Sequence, residues 1–135
     1  MKDKIGYVVL FLGNLIHTII AIYMTIYVIV RLNEGLNTPA SYIFEITFML
    51  AVVIVSWIAY YRITFRKNKS WLHFYIVPFL VNIWIGYQFV KGVLIVDVDD
   101  YSLLFSLSPF LLILFTPILL YIAAYILIRY SNKAN

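Results

Sequence analysis

Four long apolar runs separated by short polar breaks make up almost the whole chain, at about residues 5–30, 42–61, 71–90 and 103–128. Each is long enough to cross a bilayer as a helix, which takes roughly 20 residues. The pattern predicts an all-α membrane protein: a four-transmembrane-helix antiparallel bundle forming a single integral membrane domain over residues 1–135. The breaks differ in kind. Asn33-Glu34-Gly35-Leu36-Asn37-Thr38-Pro39 is rich in turn formers. The stretch from Arg62 to Lys69 is short and basic, so helices 2 and 3 are expected to form a tight hairpin. Asp97-Val98-Asp99-Asp100 makes an acidic turn, and Val93-Leu94-Ile95-Val96 extends the third helix if Lys91 snorkels outward. Pro109 and Pro117 lie inside the fourth run, where proline usually kinks a helix.

The basic residues are sorted by break. Lys2, Lys4, Arg62, Arg66, Lys67, Lys69, Arg129 and Lys133 fall on one side of the predicted spans, and only Arg31 and Lys91 on the other. Over short loops this asymmetry places both termini in the cytoplasm. Trp71 and Tyr75 are expected to anchor the third helix at the interface.

Composition supports the same class. Hydrophobic residues are 64% of the chain and charged residues 12%, against about 45–50% and about 25% in soluble domains. Four spans leave no room for a soluble domain. The net charge of +4 sits beside the spans, where anionic lipid headgroups attract it, so no nucleic-acid partner is expected. The chain has no cysteine, which excludes disulfides, thiol catalysis and Cys-ligated metals. The first run is about twice too long for a signal-peptide core and reads as a retained helix. A vocabulary rich in Ile, Tyr, Asn and Lys points to an AT-rich genome, hence to a bacterial plasma membrane and a multi-pass protein.

Polar residues inside a span are costly and usually face the bundle. Near the expected midplane lie His17 and Thr18 on helix 1, Asn82 on helix 3 and Thr116 on helix 4. Asn14, Thr18, Ala21 and Thr25 share a face of helix 1, as do Pro78, Asn82 and Gly86 on helix 3. Helix 2 offers Glu45, Val52, Ser56 and Ala59 in similar register. Two readings follow. In one, Asn14, His17, Thr18, Thr25, Glu45, Ser56, Asn82, Gln88 and Thr116 form a helix–helix seam. In the other they line a polar cavity opening outward, because Thr25, Glu45, Gln88 and Ser106 fall at comparable depth. Glu45 is an interfacial carboxylate or an ion-pair partner of Lys91 or Arg31, or else a cation- or proton-coupled site.

Cofactor chemistry finds little support. His17 and His73 differ in depth by roughly 15 Å at the helical rise, so they cannot be axial ligands of one haem. Asp97, Asp99 and Asp100 suit a hard divalent cation in type, but no glycine-bearing loop accompanies them and a solvated acidic turn is the simpler reading. No cofactor is expected. No nucleophile elbow, His-Glu-x-x-His or phosphate loop occurs, and Glu45 has no second carboxylate in its span, so no enzyme is expected.

Thr64-Phe65-Arg66-Lys67 after helix 2 resembles the inner loop of GtrA-like proteins, four-helix proteins linked to membrane translocation of lipid-carried sugars. The matching part covers about a dozen residues. The family's Asn-Phe pair before an arginine is replaced by Ala59-Tyr60-Tyr61-Arg62 with different spacing, so no functional residue transfers. Small multidrug transporters also have four helices. They carry a carboxylate in mid-helix 1, where this chain reads Gly13-Asn14-Leu15-Ile16-His17-Thr18. The expected function is therefore a non-enzymatic accessory, immunity-type or regulatory subunit that binds another membrane protein or itself. The alternative is a small carrier or flippase-like transporter with a polar path between helices 1, 2 and 3.

Overall fold

The computed structural model describes residues 2–35, 40–95 and 101–131, without the side chains of 31, 40–42, 85, 86, 88–95, 101–111 and 114. Among the described residues there are four α-helices and no strand: α1 (Lys2–Asn33), α2 (Ala40–Thr64), α3 (Ile76–Ile95) and α4 (Tyr101–Tyr130). Two helical stretches, Lys2–Val30 and Ile43–Thr64, are long and apolar enough to cross a membrane by length and composition.

α1 ends where Gly35 takes a left-handed backbone (φ 67°), the usual way of terminating a helix with glycine. Its N–H donates to the Leu32 carbonyl at 3.2 Å. The third helix departs from expectation at its start. Lys69–Tyr75 forms a 3₁₀ segment, and the α-helix begins only at Ile76. The Asn68 side chain accepts from the Ser70 N–H and starts the 3₁₀ turn. Pro78 then sits in the first turn of α3, where its missing N–H costs least. At its far end α3 runs past Lys91 to Ile95, as the apolar sequence there allowed. α4 is continuous through Pro109 and Pro117.

Paired residues give the helix directions. Gly6 lies on Ile128 and Gly13 on Tyr121, so α1 and α4 run oppositely. Asn14 meets Ser56 while Phe11 meets Tyr60, so α1 and α2 do too. Each helix packs on its neighbours in the cyclic order α1, α2, α3, α4, leaving α1 and α3 across a diagonal.

The core has two parts. The larger joins Leu10, Ala59, Ile63, Leu72, Tyr75, Tyr121, Ala124 and Ile128, close to the end that carries the N-terminus. The smaller joins Ala21, Met49 and Val53, with Val81 against them. At the N-terminal end, Lys69 Nζ lies 3.6 Å from Asp3 Oδ2, tying the 3₁₀ segment to α1. Arg62 lies over the Trp71 ring, 5.9 Å from its centre.

Candidate functional site

The polar residues of α1 are held inward by two glycine notches, Gly6 and Gly13, that admit α4 closely. A Cβ on Gly13 would stand 2.8 Å from Tyr121 Cε1, and one on Gly6 would stand 2.6 Å from Ile128 Cγ1. Close approach of α4 brings the Tyr121 hydroxyl over Asn14 and His17. Both of these side chains are 1% exposed.

Hydrogen bonds join α1, α2, the 3₁₀ segment and α4 at this level. Asn14 Nδ2 donates to the Tyr75 hydroxyl at 2.9 Å and to the Ser56 carbonyl at 3.2 Å. The Tyr75 hydroxyl donates to the same carbonyl at 2.8 Å. The Tyr121 hydroxyl donates to Asn14 Oδ1 at 3.2 Å, and it lies 3.2 Å from His17 Nδ1. The two tyrosine rings are 5.2 Å apart. Proton counting assigns the histidine. Tyr121 has one proton and gives it to Asn14, so toward His17 it accepts. With the Tyr121 proton on Asn14, His17 Nδ1 carries the imidazole proton and Nε2 is left as an acceptor. Nε2 is buried without a hydrogen-bond partner.

The other candidates are placed as follows. Ser56 belongs to the cluster through its carbonyl, while its hydroxyl donates to the Val52 carbonyl at 2.7 Å. Thr18 donates to the Asn14 carbonyl and accepts from Trp57 Nε1 at 2.9 Å, which adds a second link between α1 and α2. Thr25 and Thr116 each donate to a carbonyl of their own helix, of Ala21 and Leu112. Asn82 is buried and donates to the Pro78 carbonyl at 2.7 Å; its Oδ1 has no partner. Glu45 is exposed on α2, and the side chains of its expected partners, Lys91 and Arg31, lie outside the described residues. The Gln88 and Ser106 side chains, and all of Asp97, Asp99 and Asp100, also lie outside them. His73 is exposed, whereas His17 is buried. Among the described residues no group of three His, Cys, Asp or Glu side chains could hold a metal.

Two members of the cluster were not among the candidate site residues of the sequence. Tyr75, expected as an interfacial anchor, is 5% exposed and bonded in the interior, and Tyr121 had no assigned role. The signal was indirect. Gly6 and Gly13 are two turns apart on one face, and such notches call for bulky partners on the facing helix.

Compared with protein-family models, curated proteins and solved structures, the chain matches none. The short resemblance to GtrA-like proteins around Thr64-Phe65-Arg66-Lys67 therefore has no family match behind it.

Chemically, the cluster is suited to fastening. Each hydroxyl and amide in it is directed at a group on another helix, and no carboxylate, thiol or exposed nucleophile is among its members.

Proposed function

We propose that this is a non-enzymatic accessory, immunity-type or regulatory membrane protein that acts by binding another membrane component. It spans a bacterial plasma membrane four times as an antiparallel bundle with both termini cytoplasmic. The described basic residues Lys2, Lys4, Arg62, Arg66, Lys67, Lys69 and Arg129 fall at one end of the antiparallel helices, which supports the orientation. Among the described residues 33 large apolar side chains are exposed in the isolated chain, and a bilayer and a partner would cover them, which supports the same reading.

The observation that carries the proposal is how the interior polar groups are used. Asn14, Tyr75, Tyr121 and the Ser56 carbonyl bond one another across helices. Thr25 and Thr116 bond their own helices, and Glu45 points away from the interior as an exposed residue. Polar groups spent on internal fastening leave the outer surface to do the work.

Gentle extraction of tagged protein at native abundance tests this. A stoichiometric second membrane protein, or a second copy of the chain, is the expected result. A lone monomer from every lipid-preserving extraction overturns it.

A carrier or flippase working between α1, α2 and α3 is supported by one observation, the unpartnered buried atoms His17 Nε2 and Asn82 Oδ1. Flux through the reconstituted protein should then fall in Glu45→Gln and Asn82→Leu. Unchanged flux in both discards the carrier.

A further inference from the structure

His17 and Asn82 present an unusual coincidence. Each is 1% exposed, and each keeps one polar atom without a hydrogen-bond partner, Nε2 and Oδ1. Leaving such atoms bare in an apolar interior is costly, and native structures rarely do so. Both are acceptors. Nε2 has no proton because Nδ1 holds it against Tyr121. The Asn82 amide is oriented by its Nδ2 donating to the Pro78 carbonyl, so the remaining atom is the carbonyl oxygen.

The helix register brings these two acceptors to one level. Gly6 meets Ile128 and Gly13 meets Tyr121, which carries His17 to the level of Pro117 on α4. The rings of Tyr75 and Tyr121 are 5.2 Å apart, so α3 advances from that level as α4 recedes. Asn82 lies seven residues beyond Tyr75, and its side chain leans back to the carbonyl of Pro78. The two acceptors therefore fall within about one helical turn, about 5.4 Å, along the bundle axis. Their side chains are both buried inside the bundle, on α1 and α3, the helices across the diagonal. Pro117, at the same level, has no N–H to offer the carbonyl one turn before it. This layer is short of donors.

We infer that the layer between His17 and Asn82 is the binding site of one ordered water molecule, which donates one proton to His17 Nε2 and the other to Asn82 Oδ1. Two unpartnered acceptors, one on each helix, suit a neutral molecule with two O–H groups. An anion would be repelled, and a hard cation would find no carboxylate. Buried waters are held this way, by otherwise unsatisfied polar atoms. The water extends the Asn14–Tyr75–Tyr121 fastening to α3 and goes beyond the accessory reading, on which it does not depend.

Magic-angle-spinning NMR of the full chain in lipid nanodiscs, with water as the probe, tests the inference. The ¹⁵N shifts should show His17 protonated on Nδ1, with Nε2 accepting a hydrogen bond. Early magnetisation transfer from water should reach the His17 ring and the Asn82 amide while leaving the buried Leu10 and Ile128 unlabelled. Asn82→Leu should abolish transfer at His17, and His17→Phe should abolish it at Asn82. The wild-type spectrum alone decides the case if either variant does not fold. A proton on Nε2, or no water transfer to these two side chains, overturns the inference. Transfer at one site that survives loss of the other residue overturns the shared site.

Discussion

The α1–α4 contact and the α2–α3 contact are built to opposite designs. α4 lies in the notches of Gly6 and Gly13, too close for even one added carbon. α2 and α3 instead leave an open apolar groove between Phe48, Ala51 and Val55 on one side and Phe74 and Val77 on the other. They are fastened through the 3₁₀ segment that leads into α3, where the Tyr75 hydroxyl meets the Ser56 carbonyl. Both pairs are apolar, so hydrophobicity does not distinguish them. Shape and hydrogen bonds do, as expected where the surroundings of a helix are as apolar as its neighbours.

The comparison breaks first if the tight seam is not tight. Gly13→Leu must push aside the buried Tyr121 ring, and we expect a loss of about 3 kcal/mol. Reversible unfolding in mixed micelles measures it, and wild-type stability would remove the distinction between the two contacts. Asn14→Leu should come next. It leaves the buried Tyr121 hydroxyl without its acceptor, for about 2 kcal/mol in the same assay; a neutral change would mean the hydroxyl has another partner. A double-mutant cycle of Asn14→Ala with Tyr75→Phe sharpens the picture, with an expected coupling of about 0.6 kcal/mol. Zero coupling would reduce the 2.9 Å contact to mere proximity. The smallest effect belongs to the open side. Ala51 is exposed at the groove, so Ala51→Leu should change stability by about 0.5 kcal/mol or less. A larger loss would show that the groove is closed in the folded protein.

The polar face of α1 was legible in the sequence, because Asn14, Thr18 and Thr25 stand out against an apolar background at helical spacing. Their fates were not. Thr25 and Asn14 look alike on that face, yet only Asn14 reaches another helix. A threonine hydroxyl is short enough to satisfy itself on the carbonyl four residues back, whereas the longer amide has donors left to give. Tyr75 was misread for a related reason. Tyrosine suits an interface and a buried hydrogen bond equally, and 12 tyrosines offer no internal ranking. The late start of α3 was hidden because the aromatic-rich Trp71–Tyr75 runs into the helix with no glycine, proline or charged break between them.

The sequence by itself determined the number of helices, their order, their approximate bounds and the sorting of charge to one end. These depend on local composition and on the cost of placing charge in an apolar run. Only the tertiary structure decided which faces meet and which polar atoms find partners. α4 is apolar nearly all round from Leu112 to Ile128, so periodicity carries no sign of its inner face. That face was selected by the glycine notches of α1 and by the one tyrosine hydroxyl placed to reach Asn14 and His17 together.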